Sequence, residues 1–288
     1  MYFKDTLGNE TVKALLLKEC LNNHIPHAQL FSGPSGSGKL AMALAFCSYL
    51  FCANRLNDDA CKKCSNCIKM ENLSHPDFHL FYPTIKIETK EKGSASKKNF
   101  RKIQEELIQN KYLSLNEWNL KIKGNNKTSS IRISDTSVIR KIYNLKSYEG
   151  FYKVFILWGA EKMNREAASS LLKVLEEPNP KTIFILISND SNKLLKTIYS
   201  RLQVKTFHKI STNVMLDDLN KKHPEIDKDL ILEKIIQNNN DYSRTLYQLK
   251  NNKEDEKYLQ FIDWVRLCFL STNKKSHIKI QTEQKPKL

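Results

Sequence analysis

A glycine-rich loop of the kind that binds phosphate groups lies near the start of the chain, Gly33-Pro34-Ser35-Gly36-Ser37-Gly38-Lys39. Glycines at these spacings let backbone N–H groups surround phosphates at the N-terminus of a helix, and the lysine reaches the outer phosphates. Residues 27–32 are typical of a short buried strand, and residues 41–50 of a helix. Strand, loop and helix in this order predict a phosphate-loop α/β fold. The alternative is an ordinary glycine turn before a helix.

The residue after the lysine departs from this motif. Leu40 stands where such loops normally carry Ser or Thr, whose hydroxyl binds Mg²⁺. Residues 33–40 therefore indicate a site for ATP or ADP that lacks part of its metal-binding equipment. Whether nucleotide still binds stays open at this stage.

Four of the seven cysteines fall close together, at Cys52, Cys61, Cys64 and Cys67. Thiolates at these separations can converge on one Zn²⁺ at about 2.3 Å in a tetrahedron. All four ligand positions are then filled by sulfur, so we expect a structural zinc knuckle over residues 52–67. The alternative is four reduced thiols or two redox disulfides.

Composition limits the class of protein. The chain has 288 residues, 40% hydrophobic and 27% charged, which predicts a globular protein of about two domains. It contains no apolar stretch of membrane-spanning length, and its first residues do not resemble a signal peptide, so we expect a cytoplasmic protein. The net charge of +16 permits contact with nucleic acid, but lysines are spread along the whole chain and carry little weight alone.

The order of periodic segments predicts the domains. Strands are expected at residues 152–157 and 182–187 and helices at 11–23, 137–146 and 166–175, which together favour a parallel α/β sheet within residues 1–210. Further helices are expected at residues 214–220, 228–237 and 242–250, so that residues 211–252 form an all-helical unit. A long amphipathic helix at 254–270 and a polar, disordered tail are expected to complete the chain.

One segment interrupts this alternation. Residues 84–130 are rich in Lys, Asn and Ser and have few apolar residues outside the run LIQNKYLSL at 107–115. This composition predicts a surface insertion with a solvated basic face. A DNA-facing arm is the alternative.

Several motifs occur together in the order and spacing of one family. They are Gly8-Asn9-Glu10, His27-Ala28, the glycine-rich loop, the four cysteines, His75-Pro76-Asp77, the run LLKVLEEP at 171–178, and Ser200-Arg201-Leu202. Over roughly residues 1–250 the chain resembles the delta-prime family of bacterial clamp-loader subunits. The run at 171–178 and the Ser-Arg segment are the most specific parts of the resemblance.

The resemblance implies an AAA+ module with a parallel sheet, a zinc knuckle insertion and a small helical lid. A helical collar normally follows, and here residues 253–288 supply only its start, so a truncated collar is expected. In this family the collar assembles five subunits, including gamma/tau and delta partners, into a ring. Driven by ATP, the ring opens the sliding clamp and places it on primed DNA.

The resemblance also implies roles for individual residues. Arg201 matches the arginine finger that the family supplies to the ATP site of a neighbouring subunit. Trp158 and Gly159 stand where ATP-hydrolysing members carry an Asp-Glu pair that binds Mg²⁺ and polarises the attacking water. Glu161 lies two residues beyond this pair, too displaced along the chain for that task to be assigned to it.

Three further positions match polar contacts to the γ-phosphate. Arg244 lies near where such lids place an arginine, with a solvated helix face as the alternative. Ser188 and Asn189 follow the last predicted strand, where the family often has a polar sensor, with a simple strand-end turn as the alternative.

These observations predict a delta-prime-type clamp-loader subunit that does not hydrolyse ATP itself. One alternative is an active ATPase of the gamma/tau type, or another phosphate-loop NTPase, with Glu161 replacing the missing acids. Another is a zinc-dependent DNA-binding module, which only the basic segment at 84–130 favours.

Overall fold

A five-stranded parallel sheet organises the chain in a computed structural model that describes residues 1–85, 99–122, 129–149 and 152–250, together with Trp264. The strands stand side by side in the order β2-β3-β4-β1-β5. Their bounds are β1 Ala28–Ser32, β2 Phe78–Phe81, β3 Lys153–Trp158, β4 Thr182–Ser188 and β5 Gln203–Thr206. The predicted parallel α/β sheet is thereby confirmed.

Helices connect and cover the strands. Within the described ranges they are α1 Glu10–Leu21, α2 Lys39–Phe51, α3 Ser65–Glu71, α4 Phe100–Gln109, α5 Leu115–Ile122, α6 Ile133–Tyr143, α7 Arg165–Glu176, α8 Lys196–Tyr199, α9 Thr212–Lys222, α10 Lys228–Gln237 and α11 Tyr242–Lys250. Short 3₁₀ turns occur at Phe3–Asp5, Ala160–Lys162 and Ser191–Lys193. The part of the chain that the structure describes contains no helix long and apolar enough to cross a membrane.

The sheet is covered on both faces. Side chains along a strand alternate between faces, and all six residues of β3 are buried. Ile156 belongs to the cluster formed with α2, whereas Leu157 belongs to the cluster that contains buried residues of α6 and α7. Two helical layers therefore enclose the sheet, and its carboxyl edge is left for the loops that follow the strands.

The chain divides into two compact units, Met1–Thr245 and Leu246–Leu288. The first holds the sheet, α1 to α10 and the beginning of α11. The described part of the second is the end of α11 and Trp264, so the expected collar helix at 254–270 and the tail lie almost wholly outside the described residues.

The segment at 84–130 is not a surface insertion throughout. Ile103, Leu107 and Trp118 are fully buried, in the same cluster as α2. Ile103 and Leu107 are four residues apart and share one face of α4, so this otherwise polar helix packs into the core. The expectation of a surface segment is wrong for residues 99–122, and residues 86–98 and 123–128, which carry much of the basic charge, lie outside the described residues.

Two further features of the fold were not predicted from the hydrophobic periodicity of the sequence. Helix α6 begins at Ile133, earlier than expected, because the Asp135 carboxylate accepts a hydrogen bond from the backbone N–H of Arg132 at 3.0 Å and caps the first turn. Strand β5 is tied to α1 by an ion pair between Lys205 Nζ and Glu19 Oε1 at 2.5 Å, with both side chains buried.

Candidate functional site

The glycine-rich loop opens at the carboxyl edge of the sheet. It directly follows β1, whose last residue, Ser32, pairs with Ser188 of β4, while Trp158 at the end of β3 pairs with Ile187. Residues that follow β1, β3 and β4 therefore meet at one edge, where open α/β sheets bind their ligands. Asn189, predicted as a polar sensor, lies here and lines a pocket with the loop.

Lys39 points back into its own loop. Its Nζ donates hydrogen bonds to the carbonyl oxygens of Gly33 at 2.7 Å and Pro34 at 2.6 Å, and to Ser37 Oγ at 3.2 Å. Burial lowers the pKa of this amine to about 8, and the negative charges of Glu161 and Asp241 oppose the decrease. In this arrangement the N–H groups of the Lys39 amine donate to carbonyl oxygens of the loop, and so they are not available to a phosphate.

The two positions at which the resemblance implies magnesium ligands carry apolar residues. Leu40 and Trp158 are 5% and 4% exposed, and both belong to the core cluster around α2. Glu161, in the turn after β3, accepts a hydrogen bond from the backbone N–H of Asn189 at 3.3 Å. Its Oε2 is buried without a hydrogen-bond partner in the described part of the chain. Glu161 is therefore, with Asp241, one of two carboxylates whose negative charge acts on Lys39, although it is not at the predicted Asp-Glu position.

A segment that sequence reasoning did not connect with the site covers the loop. We call residues 110–118 the cap segment. Tyr112 Oη accepts a hydrogen bond from the backbone N–H of Leu7 at 2.7 Å, and a Cβ on Gly38 would lie 3.3 Å from the Tyr112 ring. Leu115 packs against Gly159 after β3. The cap segment thus bridges the N-terminus, the loop and the edge of the sheet.

A capping box starts helix α5 within the cap segment. The Glu117 carboxylate accepts from the backbone N–H of Ser114 at 3.0 Å, and Ser114 Oγ accepts from the backbone N–H of Glu117 at 3.2 Å. Glu117 is only 5% exposed, and its Oε1 has no partner among the described residues. Burial raises the pKa of this carboxyl to about 7, which the hydrogen bonds from Ser114 only partly oppose. The sequence signal for this feature was Ser-x-x-Glu next to an apolar run.

The beginning of α11 closes the site from the other side. The Ser243 hydroxyl donates a hydrogen bond to the Tyr112 carbonyl oxygen, and its oxygen lies 3.4 Å from Glu117 Oε2. The rings of Tyr242 and Tyr112 are 4.5 Å apart. Gly36 has φ +73°, and a Cβ on it would lie 2.2 Å from Asp241 Oδ1. The chain therefore places residues 241–243 against the loop and the cap segment.

Arg244 does not line this pocket. Its side chain is exposed, and its backbone N–H donates to Asp241 Oδ1 at 3.1 Å. A contact between Arg244 and a γ-phosphate remains a prediction. Of the residues at this end of α11, Ser243 is the one that lines the pocket.

Arg201 lies on the surface after α8. One of its terminal nitrogens forms an ion pair with Glu176 Oε1 at 2.6 Å, and the other donates to the carbonyl oxygen of Thr197 at 2.6 Å. The side chains of Arg201 and Glu176 are 36% and 44% exposed. Glu176 belongs to the run at 171–178, so two motifs of the resemblance meet at this point. The guanidinium is oriented but accessible to solvent.

The four predicted metal ligands come together. The sulfur atoms of Cys52, Cys61, Cys64 and Cys67 all lie within 4.8 Å of one another. Backbone N–H groups of Lys63 and Cys64 donate to the Cys61 thiolate and lower its pKa to about 6. Four sulfur donors that converge at these distances fit a tetrahedral metal ion, and this cluster can hold one.

Comparison with known proteins places this chain in a family. The family described as DNA polymerase III, delta subunit, matches residues 8–211. The chain is 29% identical to DNA polymerase III subunit delta' of Bacillus subtilis (strain 168) over 208 residues, which are 72% of this chain and 50% of that protein. It is 25% identical to the delta' subunit of Haemophilus influenzae over 284 residues, 90% of this chain and 73% of that protein. The chain therefore spans about half the length of the Bacillus relative.

The chain is also similar to a gamma/tau subunit and to a solved structure. The chain is 27% identical to DNA polymerase III subunit gamma/tau of Mycoplasma genitalium over 235 residues, 80% of this chain and 32% of that protein. Among solved structures, a gamma subunit-related protein from Thermotoga maritima has a TM-score of 0.36 at 14% identity, covering 88% of this chain and 76% of the other.

Proposed function

The chain belongs to the DNA polymerase III delta subunit family, and from this premise we propose that it is a delta'-type subunit of the clamp loader. In this role it acts in the cytoplasm during DNA replication as a ring subunit that does not hydrolyse ATP. Its proposed partners are gamma/tau and delta subunits, and through the assembled ring the sliding clamp and primed DNA. Its proposed contribution to chemistry is Arg201, supplied to the ATP site of a neighbouring subunit.

The observation that carries this proposal is that apolar residues stand at the two positions where metal ligands are expected. Phosphoryl transfer depends on a metal ion to neutralise the charge of the β- and γ-phosphates. Leu40 and Trp158 are built into the core at the two positions that would hold that ion, so neither is a ligand. A subunit of this kind can take part in hydrolysis only through a group that it offers to another site.

Arg201 is suited to such a task. A guanidinium with donors in a planar fork stabilises charge on a transferring phosphoryl group. Its present partner, Glu176, forms an exposed ion pair, and exposed pairs contribute only about 0–1 kcal/mol. Exchanging this carboxylate for a phosphate of a neighbour therefore requires little energy. Until then Glu176 and Thr197 keep the side chain oriented.

We assign Zn²⁺ to the four-cysteine cluster. Cys52, Cys61, Cys64 and Cys67 would fill all of its ligand positions, so the ion would stabilise the fold and leave no site for a substrate. The backbone of this region is already tied to the N-terminus, because Asp59 accepts from the N–H groups of Phe3 at 3.1 Å and Lys4 at 3.1 Å.

Reconstitution with gamma/tau and delta subunits tests the proposed role of Arg201. An arginine supplied in trans raises phosphoryl-transfer rates by about 10³-fold or more. We therefore expect Arg201→Ala to reduce the DNA-stimulated ATPase rate of the assembled ring by inactivating the adjoining site. Arg140→Ala, at an exposed arginine on α6, is the matched control and should leave the rate unchanged. Equal rates for both variants in fully assembled rings would refute the proposal.

A second candidate, an ATPase in its own right, is favoured by Glu161. Its carboxylate lies close enough to the loop for its negative charge to raise the pKa of Lys39. Steady ATP turnover by the purified chain, lost in both Glu161→Gln and Lys39→Ala, would support this candidate. We expect no such turnover.

A further inference from the structure

The glycine-rich loop of this chain is closed by residues far from it in sequence. The cavity between the loop, the cap segment and Ser243 has a volume of ≈ 30 Å³. A water molecule needs about 10–15 Å³ of such space, so there is room for about two. A diphosphate or triphosphate group does not fit without movement of the surrounding residues.

The cap segment is held by specific contacts on three sides. Tyr112 accepts from the backbone of Leu7 at 2.7 Å and its ring lies over Gly38. Trp118 Nε1 donates to the carbonyl oxygen of Pro83 at 2.9 Å, and its ring packs edge-on against Tyr82 with centroids 5.3 Å apart. These aromatic groups are buried, so the segment belongs to the core of the α/β unit.

The lysine and a carbonyl group of the loop are hydrogen-bonded within the chain in the closed arrangement. Lys39 Nζ uses the carbonyl oxygens of Gly33 and Pro34 as acceptors, at 2.7 and 2.6 Å. Asn9, from the N-terminal motif, donates to the carbonyl oxygen of Ser37 at 3.0 Å. The Lys39 amine, which would bind phosphate, thus already has partners within the chain, and nucleotide must compete with these as well as with the cap segment.

We propose that the cap segment is an internal plug, which excludes nucleoside diphosphates and triphosphates from the glycine-rich loop. In place of a nucleotide, the cap segment connects residues 241–243 to the sheet. The loop retains its glycines and lysine, so displacement of the plug uncovers a functional phosphate-binding surface. This inference concerns the chain's own loop and does not depend on whether Arg201 acts on a neighbour.

Nucleotide binding by the full chain tests the plug. Fluorescent N-methylanthraniloyl-ADP, titrated without chelator so that the metal cluster is preserved, is the probe. The wild-type chain should show no saturable binding. Tyr112→Ala removes the ring over Gly38 and should raise affinity for the probe at least tenfold over the wild-type limit. Tyr148→Ala, at a tyrosine that is 83% exposed, is the matched control and should behave as wild type.

Further variants identify the site and guard against loss of the fold. Adding Lys39→Ala to Tyr112→Ala should abolish the gain, since the gain arises at the loop. If Tyr112→Ala does not fold, Ser243→Ala removes one hydrogen bond to the plug at almost unchanged volume. It should then increase both probe affinity and amide hydrogen exchange at residues 35–40.

Two results would overturn the inference. In the first, wild-type chain binds the probe as tightly as the folded variants do, so that the plug excludes nothing. In the second, a folded variant shows rapid exchange at residues 35–40 but still fails to bind, so that the plug is not the cause of exclusion.

Discussion

The buried carboxyl of Glu117 should make the stability of this protein fall as pH rises through neutrality. Its pKa is raised from an ordinary value of 4.5 to about 7, chiefly by burial. The native chain therefore holds a proton between these pH values that the unfolded chain has released. Stability falls with pH wherever the folded state binds more protons, so the loss begins near 4.5 and is complete above about 7.

The size of the effect follows from the two pKa values. Each pKa unit corresponds to about 1.4 kcal/mol, so a rise from 4.5 to about 7 gives a loss of about 3 kcal/mol in the free energy of unfolding. Glu117→Gln keeps the side-chain size and an oxygen that accepts from the backbone N–H of Ser114. It should be more stable than wild type by about this amount near pH 8 and nearly equal to it near pH 5.

Urea denaturation of both proteins at several pH values, followed by circular dichroism, measures this difference. Glu105→Gln makes the same substitution at an exposed position of the neighbouring helix and should change stability by no more than about 0.5 kcal/mol at any pH. Other groups titrate equally in all three chains, so the difference isolates Glu117. Parallel stability curves for wild type and Glu117→Gln between pH 5 and 8 would show that this reasoning is wrong.

Three further predictions concern the loop, a buried ion pair and the metal cluster. Gly36→Ala should destabilise the chain by about 1–3 kcal/mol more than Gly8→Ala in thermal unfolding, because both positions have left-handed φ but only at Gly36 does the new Cβ clash, 2.2 Å from the nearest atom. Lys205→Met should lower the free energy of unfolding by about 3–5 kcal/mol, since its carboxylate partner stays buried and unpaired. Lys4→Met breaks an exposed ion pair and should change that free energy by less than about 1 kcal/mol. Cys64→Ser should lose the bound zinc measured by elemental analysis and reduce the melting temperature, whereas retained zinc at wild-type stability would contradict the assignment.

Much of the fold was accessible from local patterns. The largely apolar runs at 152–157 and 182–187 predicted β3 and β4, because a parallel strand covered on both faces has no polar side. Helices α10 and α11 were predicted with the bounds that the structure shows. The short strands β2 and β5 were not predicted, since four residues are too few for periodicity to identify.

The sequence by itself also determined that the side chains of Leu40 and Trp158 offer no ligand atom to a metal ion in any fold. It determined the four sulfur ligands as well, since their spacing along the chain nearly suffices to bring them together. Tertiary structure alone decided that Tyr112 lies over Gly38 and that Ser243 donates to the Tyr112 backbone. These partners are more than seventy residues apart, and no local preference for helix or strand specifies which distant surfaces meet; packing of the whole core around Trp118 does. The glycine-rich loop can therefore be identified from the sequence, whereas its closure by the cap segment is a property of the fold.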